Sequence, residues 1–290
     1  MQTAIPCLFM RGGTSRGPFF DEADLPADIP TRDRVLLAVM GSPDRRQIDG
    51  LGGAHPLTSK VGIVRRSQVA GVDLDFLFAQ LQPDRDTVDT TPNCGNMLAA
   101  VVPFALETGL AVAQGDTTTL RVLTLNTDMQ CDITVRTPMT PVGRRVEYAG
   151  DARIDGVPGT SSPITINFLD TAGSVCSGLL PTGHVVDEID VPGVGRIRAT
   201  CIDNGMPMVL FRAADVGRTG YESVADLNVD SELKSRVEAL RLAAGHLMGL
   251  GDVTTKTYPK MCLVAPPRAG GSLSTRCFIP HVCHDAIGVL

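Results

Sequence analysis

The stretch NCGNMLAAVVPFALETGL, residues 93–110, decides the fold. It reads as a helix, with Asn93 as capping residue at its start and Gly109 in the left-handed position past its end. Its run Met97–Val102 is apolar on every side, whereas a surface helix shows only an apolar stripe. Such a helix is buried all round. Pro103 lies inside it and predicts a kink or break, because proline lacks the N–H and crowds the preceding turn.

Around this helix the chain reads as short strands between turn signals, at 3–9, 61–66, 73–80, 118–125, 130–136, 164–169, 194–202, 207–212 and 261–265. Residues 31–42 and 230–251 add two further helical patterns. A wholly buried helix among many short strands points to an α+β fold in which sheet wraps around helix. The segment EYAGDARIDGVPGTSSP (147–163) is rich in Gly, Pro, Ser and Asp and reads as a linker, with a boundary near 158. Two domains are therefore expected, 1–158 and 159–290, each with strands and one main helix.

The bulk composition narrows the function. A net charge of −6 argues against nucleic acid or an anionic membrane as the main partner. No apolar run reaches the roughly 18 residues needed to span a bilayer, and the N-terminus lacks the basic-then-apolar pattern of a signal peptide. A cytoplasmic protein is expected. The eight cysteines form no C-x-x-C pair and read mostly as small hydrophobes in a reducing compartment. Only four of the 26 basic residues are lysine: Lys60, Lys234, Lys256 and Lys260. A chain that otherwise uses arginine for charge marks its lysines as candidates for work that needs a labile proton. Lys234 reads simply as a solvent-facing helix residue.

Four polar loops carry the candidate chemistry. In MRGGTSRG (10–17), Gly13 to Gly17 fits the G-x-S-x-G nucleophile elbow by letters. That elbow needs a helix starting at the serine, and Gly17-Pro18-Phe19-Phe20 reads as extended chain. The loop suits an anion instead: Gly12 and Gly13 expose backbone amides, Thr14 and Ser15 add hydroxyls, and Arg11 and Arg16 add charge. In IDGLGGAHPLTSKVGIV (48–64), Thr58-Ser59-Lys60 precedes a strand and sets the Lys60 amine at its mouth, where partial burial favours a general base. In TPNCGNM (91–97), Cys94 falls on the first turn of the buried helix, whose free amides favour a thiolate and a bound anion. In FIPHVCHDAIGVL (278–290), His281, Cys283 and His284 cluster without a second ligand pair, so no metal site is expected. The turn Asp203-Asn204-Gly205 is a lesser ligand-facing candidate.

Together MRGGTSRG, GLGGAHPLTSKVGIV, PNCGNMLAAVVPFA, NGMPMV and PKMCLVAPP resemble the PrpF family, in order and over nearly the whole chain. The sequence looks most like its members that act on 4-oxalomesaconate, with the 2-methylaconitate isomerases next. The resemblance implies the diaminopimelate-epimerase-like fold: two similar domains, each a β-barrel-like sheet around a central helix, with the active site in the cleft between them. It implies an isomerase with no cofactor and no metal, acting on a small di- or tricarboxylate, with room for a homodimer.

By motif match, the resemblance makes Lys60 and Cys94 the acid–base residues. It assigns substrate binding to Arg11, Gly12, Gly13, Thr14, Ser15 and Arg16, to Ser59, and to Asn93, Gly95, Asn96 and Met97. In the second half it adds Asn204, Met206, Lys260 and His284. Family members continue past His284 with a second central helix, so the 290 residues are expected to carry that domain only in part. The same fold hosts two-thiol racemases. Cys283-His284-Asp285 lacks the Ala-Cys-Gly motif of such a second thiol, which argues against that chemistry. A non-enzymatic carboxylate-binding module is the remaining alternative.

Overall fold

The computed structural model describes residues 3–285, which divide into two units between Leu169 and Asp170. The first unit runs β1 (Leu8–Gly12), β2 (Ser15–Asp21), α1 (Ile29–Met40), β3 (Lys60–Arg66), β4 (Leu74–Leu81), β5 (Val88–Asp89), α2 (Gly95–Leu98), α3 (Val101–Thr108), β6 (Thr117–Thr124), β7 (Met129–Arg136), the pair β8 (Met139–Thr140) and β9 (Gly143–Arg144), and β10 (Thr165–Phe168). Its main sheet has the order β1-β2-β3-β4-β6-β7-β10, with β5 beside β4. The β2/β3 and β4/β6 pairs are parallel and the others antiparallel.

Alternation along the strands sorts this unit into two cores. Phe19, Val64, Phe76, Phe78, Leu120, Val122, Ile133 and Val135 face one way and enclose Met97, Leu98, Val101 and Phe104 of α2 and α3. The sheet therefore curls around this helix. Phe20, Val61, Ile63, Ala79 and Leu81 face the other way and pack on Leu36 and Met40 of α1. Strand β3 is covered on both faces, which is why VGIV is an unbroken apolar run.

The stretch 93–110 forms two helices rather than one. Ala99 and Ala100 donate to the Asn96 and Met97 carbonyls three residues back, tightening the chain between α2 and α3. Pro103 is the third residue of α3, where a missing N–H costs little, so it marks a helix start rather than a mid-helix kink. The segment 147–163 is paired and not a free connector: Ala152 and Ser161 bridge, and Ser162 donates to the Tyr148 carbonyl. Beyond it, β10 pairs with β7, which carries the first unit on to Leu169.

The second unit holds β11 (Asp187–Val191), β12 (Gly195–Asp203), β13 (Pro207–Arg212), α4 (Val224–Val229), α5 (Ser231–Leu247), β14 (Lys260–Ala265) and β15 (Ser274–Phe278). The strands lie in that order, with β13/β14 parallel. Helix α5 buries Leu233, Val237, Leu240 and Ala244, spaced by three and four residues, against Ile197, Val209, Phe211, Met261 and Leu263. The helix expected to open at His284-Asp285-Ala286 runs into residues 286–290, outside the described ones. His284 itself donates its amide to the Cys277 carbonyl.

The two units repeat one plan without visible sequence repetition. An antiparallel hairpin (β1–β2, β12–β13) leads through a 3-10 turn (Glu22–Asp24, Ala213–Val216) and a helical segment. A strand then follows, parallel to the second hairpin strand, and opens on a buried lysine, Lys60 or Lys260. Among the described residues no helix is long and apolar enough to cross a membrane.

Candidate active site

Strand alternation brings the catalytic candidates together. Ser15, Gly17 and Phe19 of β2 share a face with Lys60, Gly62 and Val64 of β3, the face that encloses α2. Lys60 is the first residue of β3, and its side chain runs toward the start of that helix. Its Nζ donates to Ser15 Oγ at 3.0 Å and to Cys94 Sγ at 3.4 Å, and lies 5.6 Å from the centre of the Phe78 ring. Lys60 and Cys94 are each 7% exposed and Ser15 is 2% exposed. An amine, a thiol and a hydroxyl thus meet in a nearly dry cluster, where each polar interaction is stronger than in water.

The backbone around the cluster is built for close approach. A side chain at Gly17 would collide with the Lys60 carbonyl, so only glycine lets β2 lie that near β3. Cys94 is the N-cap of α2 and its amide donates to Asn93 Oδ1 at 2.8 Å. Asn96 Oδ1 accepts from the Thr14 amide at 3.1 Å, tying the β1–β2 turn to the first helical turn. That turn leaves the amides of Gly95, Asn96 and Met97 without intrahelical acceptors. Thr14 Oγ1 is buried and, among the described residues, has no hydrogen-bond partner.

Three further cysteines are buried in the cores of the two units. Burial pushes the Cys131 and Cys201 thiols up to about 12, with neighbouring Asp132 and Asp187 adding to the effect. Burial likewise raises Cys283 to about 11. These thiols keep their protons and serve as core side chains.

The profile of the PrpF protein family matches residues 2–289. The chain belongs to the PrpF family. A (4E)-oxalomesaconate Delta-isomerase of Novosphingobium sp. (strain KA1) is 56% identical over 99% of this chain and 78% of its own. A 4-oxalomesaconate tautomerase of Pseudomonas putida is 55% identical over 99% of this chain and 77% of its own. Among solved structures, methylitaconate-delta-isomerase superposes with a TM-score of 0.83 at 34% identity, over 98% of this chain and 77% of its own. The fold is thus the α+β, epimerase-like one expected, with curled sheets and few helices.

Within this PrpF chain the remaining expected site residues fall in several places. Arg11 and Arg16 face each other across the β1–β2 hairpin, one position out of step with Ser15, and so lie on the opposite face from Lys60. Arg11 donates to the Gly13 carbonyl and reaches Ser161 Oγ at 3.4 Å. It lines a cavity of about 820 Å³ whose walls do not include Ser15, Lys60 or Cys94. Arg16 lies over the Phe9 ring at 5.2 Å. The arginines and Ser15 therefore do not form the single cradle expected from the sequence.

Ser59 is fully buried, its hydroxyl 2.9 Å from Gln47 Oε1 and 2.8 Å from the His55 carbonyl. Gly12, Gly95 and Met97 are buried against neighbouring backbone and core. Asn204, Met206, Lys260 and His284 belong to the second unit. There Asn204 accepts from Thr171 Oγ1, Met206 lies in the β12–β13 turn, and Lys260 is buried opposite Met208. Asp203, in the turn singled out from the sequence, accepts from Ser174 Oγ and from the amides of Val175 and Cys176. Gln47, which anchors Ser59, escaped sequence reasoning, since it sits in no periodic pattern that would have marked it.

Proposed function

We propose that this chain is an isomerase that shifts a proton, and with it a double bond, in an unsaturated tricarboxylate, with 4-oxalomesaconate as its substrate. The observation that carries the reading is Lys60 Nζ within hydrogen-bond reach of both Ser15 Oγ and Cys94 Sγ. The names of the two relatives above 50% identity supply the substrate.

The chemistry follows from the cluster. A carbon acid next to a carbonyl, or joined to it through a double bond, loses a proton to one of the Lys60–Cys94 pair. The other returns a proton to a different atom, and the enolate or dienolate collapses to the isomer. The developing negative charge is met by the Ser15 and Thr14 hydroxyls and by the free amides of the first α2 turn. Lys60 and Cys94 divide the base and acid roles between them, and Ser15, held by Lys60, fixes the direction of the amine.

An ultraviolet assay with 4-oxalomesaconate, 2-methylaconitate and methylitaconate tests the reading. The expected result is a kcat/KM for 4-oxalomesaconate on the order of 10²-fold above the other two, since the extra polar groups of the preferred substrate leave buried partners unpaired when missing. A preference for methylitaconate would instead favour the activity named for the 34%-identical structure. No turnover of any of the three would overturn the proposal.

A further inference from the structure

Lys60 must bring one nitrogen to two partners at once, and the residue before it is fixed from outside the cluster. Gln47 lies between α1 and β3 and is 1% exposed. Its backbone has φ 51°, in the left-handed region that a non-glycine residue rarely takes and keeps only when its surroundings demand it.

The surroundings do so through its side chain. Oε1 accepts from the Ala54 amide at 2.9 Å and from Ser59 Oγ at 2.9 Å. Nε2 donates to Ser42 Oγ at 3.2 Å, and that hydroxyl donates onward to the Gln82 carbonyl at 2.9 Å. The glycine loop wraps tightly on this group, since a side chain at Gly52 would collide with the Gln47 carboxamide.

One buried carboxamide thus joins the end of α1, the glycine loop and the residue before the lysine. On its other side, the Ser59 carbonyl accepts from the Leu81 amide and from Gln80 Nε2 of β4. Ser59 is therefore clamped between β4 and Gln47, and the path of Lys60 is set at its root.

We propose that Gln47 is a positioning residue for the reaction: it holds Ser59, and through Ser59 the line along which Lys60 Nζ meets Ser15 and Cys94. The inference rests on reading Lys60 as one of the two proton-transfer residues. Gln47 touches no substrate. A displacement of about 1 Å at a catalytic group is enough to cost about 10²-fold in rate.

The test compares wild type, Gln47→Leu, Gln47→Glu and Ser59→Ala as full chains. The readouts are kcat, KM and the pH–rate profile, together with the pH dependence of Lys60 modification by trinitrobenzenesulfonate, read by peptide mass spectrometry. Gln47→Leu is expected to lower kcat about 10²-fold with KM little changed, and to shift the pH dependence of both turnover and Lys60 modification. Ser59→Ala removes the link together with the bond from the same hydroxyl to the His55 carbonyl, leaves the Gln47 side chain in place, and is expected to shift both in the same direction, by less. Gln47→Glu, kept protonated by burial, retains an acceptor and a donor and is expected to restore most of the rate.

Folded Gln47→Leu protein with wild-type kcat and wild-type Lys60 modification would overturn the proposal. If Gln47→Leu fails to fold, Ser59→Ala decides: unchanged turnover and unchanged Lys60 modification overturn it equally. If wild type isomerises none of the three acids, the proposed function falls, while Lys60 modification in the same variants still tests the positioning role on its own.

Discussion

Lys60 and Cys94 stand 34 positions apart in the chain and 3.4 Å apart in space, Nζ to Sγ. The contact arises because Lys60 opens β3 on its inner face and Cys94 caps the helix that this face encloses. Replacing Lys60 by Arg keeps a positive charge but gives a group that cannot be deprotonated and does not fit the same buried space. Lys60→Arg is expected to lose on the order of 10²-fold or more in kcat, as expected for removing an acid–base group. Steady-state kinetics at neutral pH check this. A rate within about threefold of wild type, well short of that loss, would reduce Lys60 to a charge.

Ser15→Ala removes one of the two acceptors of Lys60 Nζ. The stability loss should stay near one hydrogen bond, about 1 kcal/mol. The rate should fall by about 10-fold to 10²-fold through misdirection of the amine. Substrate titration and thermal melting together separate the two effects. Total loss of turnover with affinity intact would return Ser15 to the role of nucleophile.

Gly17→Ala places a methyl group against the Lys60 carbonyl, where backbone rather than a flexible side chain must yield. Overpacking of this kind costs about 1–3 kcal/mol, and here it also pushes β2 from β3 beside Lys60. Urea denaturation should show a lower midpoint, and activity should fall further than the folded fraction. Wild-type values of both would mean that the strands separate at no cost.

A pH effect is expected in the second unit. The Arg218 guanidinium, with Nε 2.6 Å from Asp230 Oδ2, and the Leu233 amide hold the Asp230 carboxyl down to about 2. Its unfolded value is about 3.9. The folded pKa is the lower one, so this contribution is fully present above about pH 4 and is lost as pH falls through 2. Asp230 also caps α5. The stability gap between wild type and Asp230→Ala should therefore narrow between pH 5 and pH 2, as followed by circular dichroism in urea. A gap constant across that range would remove the ion pair from the account.

The sequence made some of this legible and hid the rest for physical reasons. The apolar run 97–102 announced buried helical structure, because only a helix enclosed on all sides tolerates it, but not the break at Ala99–Ala100 that divides it between α2 and α3. Lys60 before a strand and Cys94 on a helix start were visible as local signals. The face on which Ser15 lies was not. It depends on the register Gly12↔Ser15, and a one-residue shift exchanges Ser15 with Arg16. The tie between Ser59 and Gln47 crosses a loop with no periodicity, so nothing local pointed to it. The composition of 147–163 suggested a linker, yet pairing with its own unit decides its place.

The central claim is that Lys60 and Cys94 move the proton. The most direct measurement is turnover of 4-oxalomesaconate in deuterium oxide, with product analysed by mass spectrometry, for wild type, Lys60→Ala and Cys94→Ala. Wild type should place solvent deuterium at the new C–H or exchange it at the old one. Each variant should slow both turnover and deuterium uptake by about 10²-fold or more. Near-normal turnover and deuterium uptake in both variants would contradict the account.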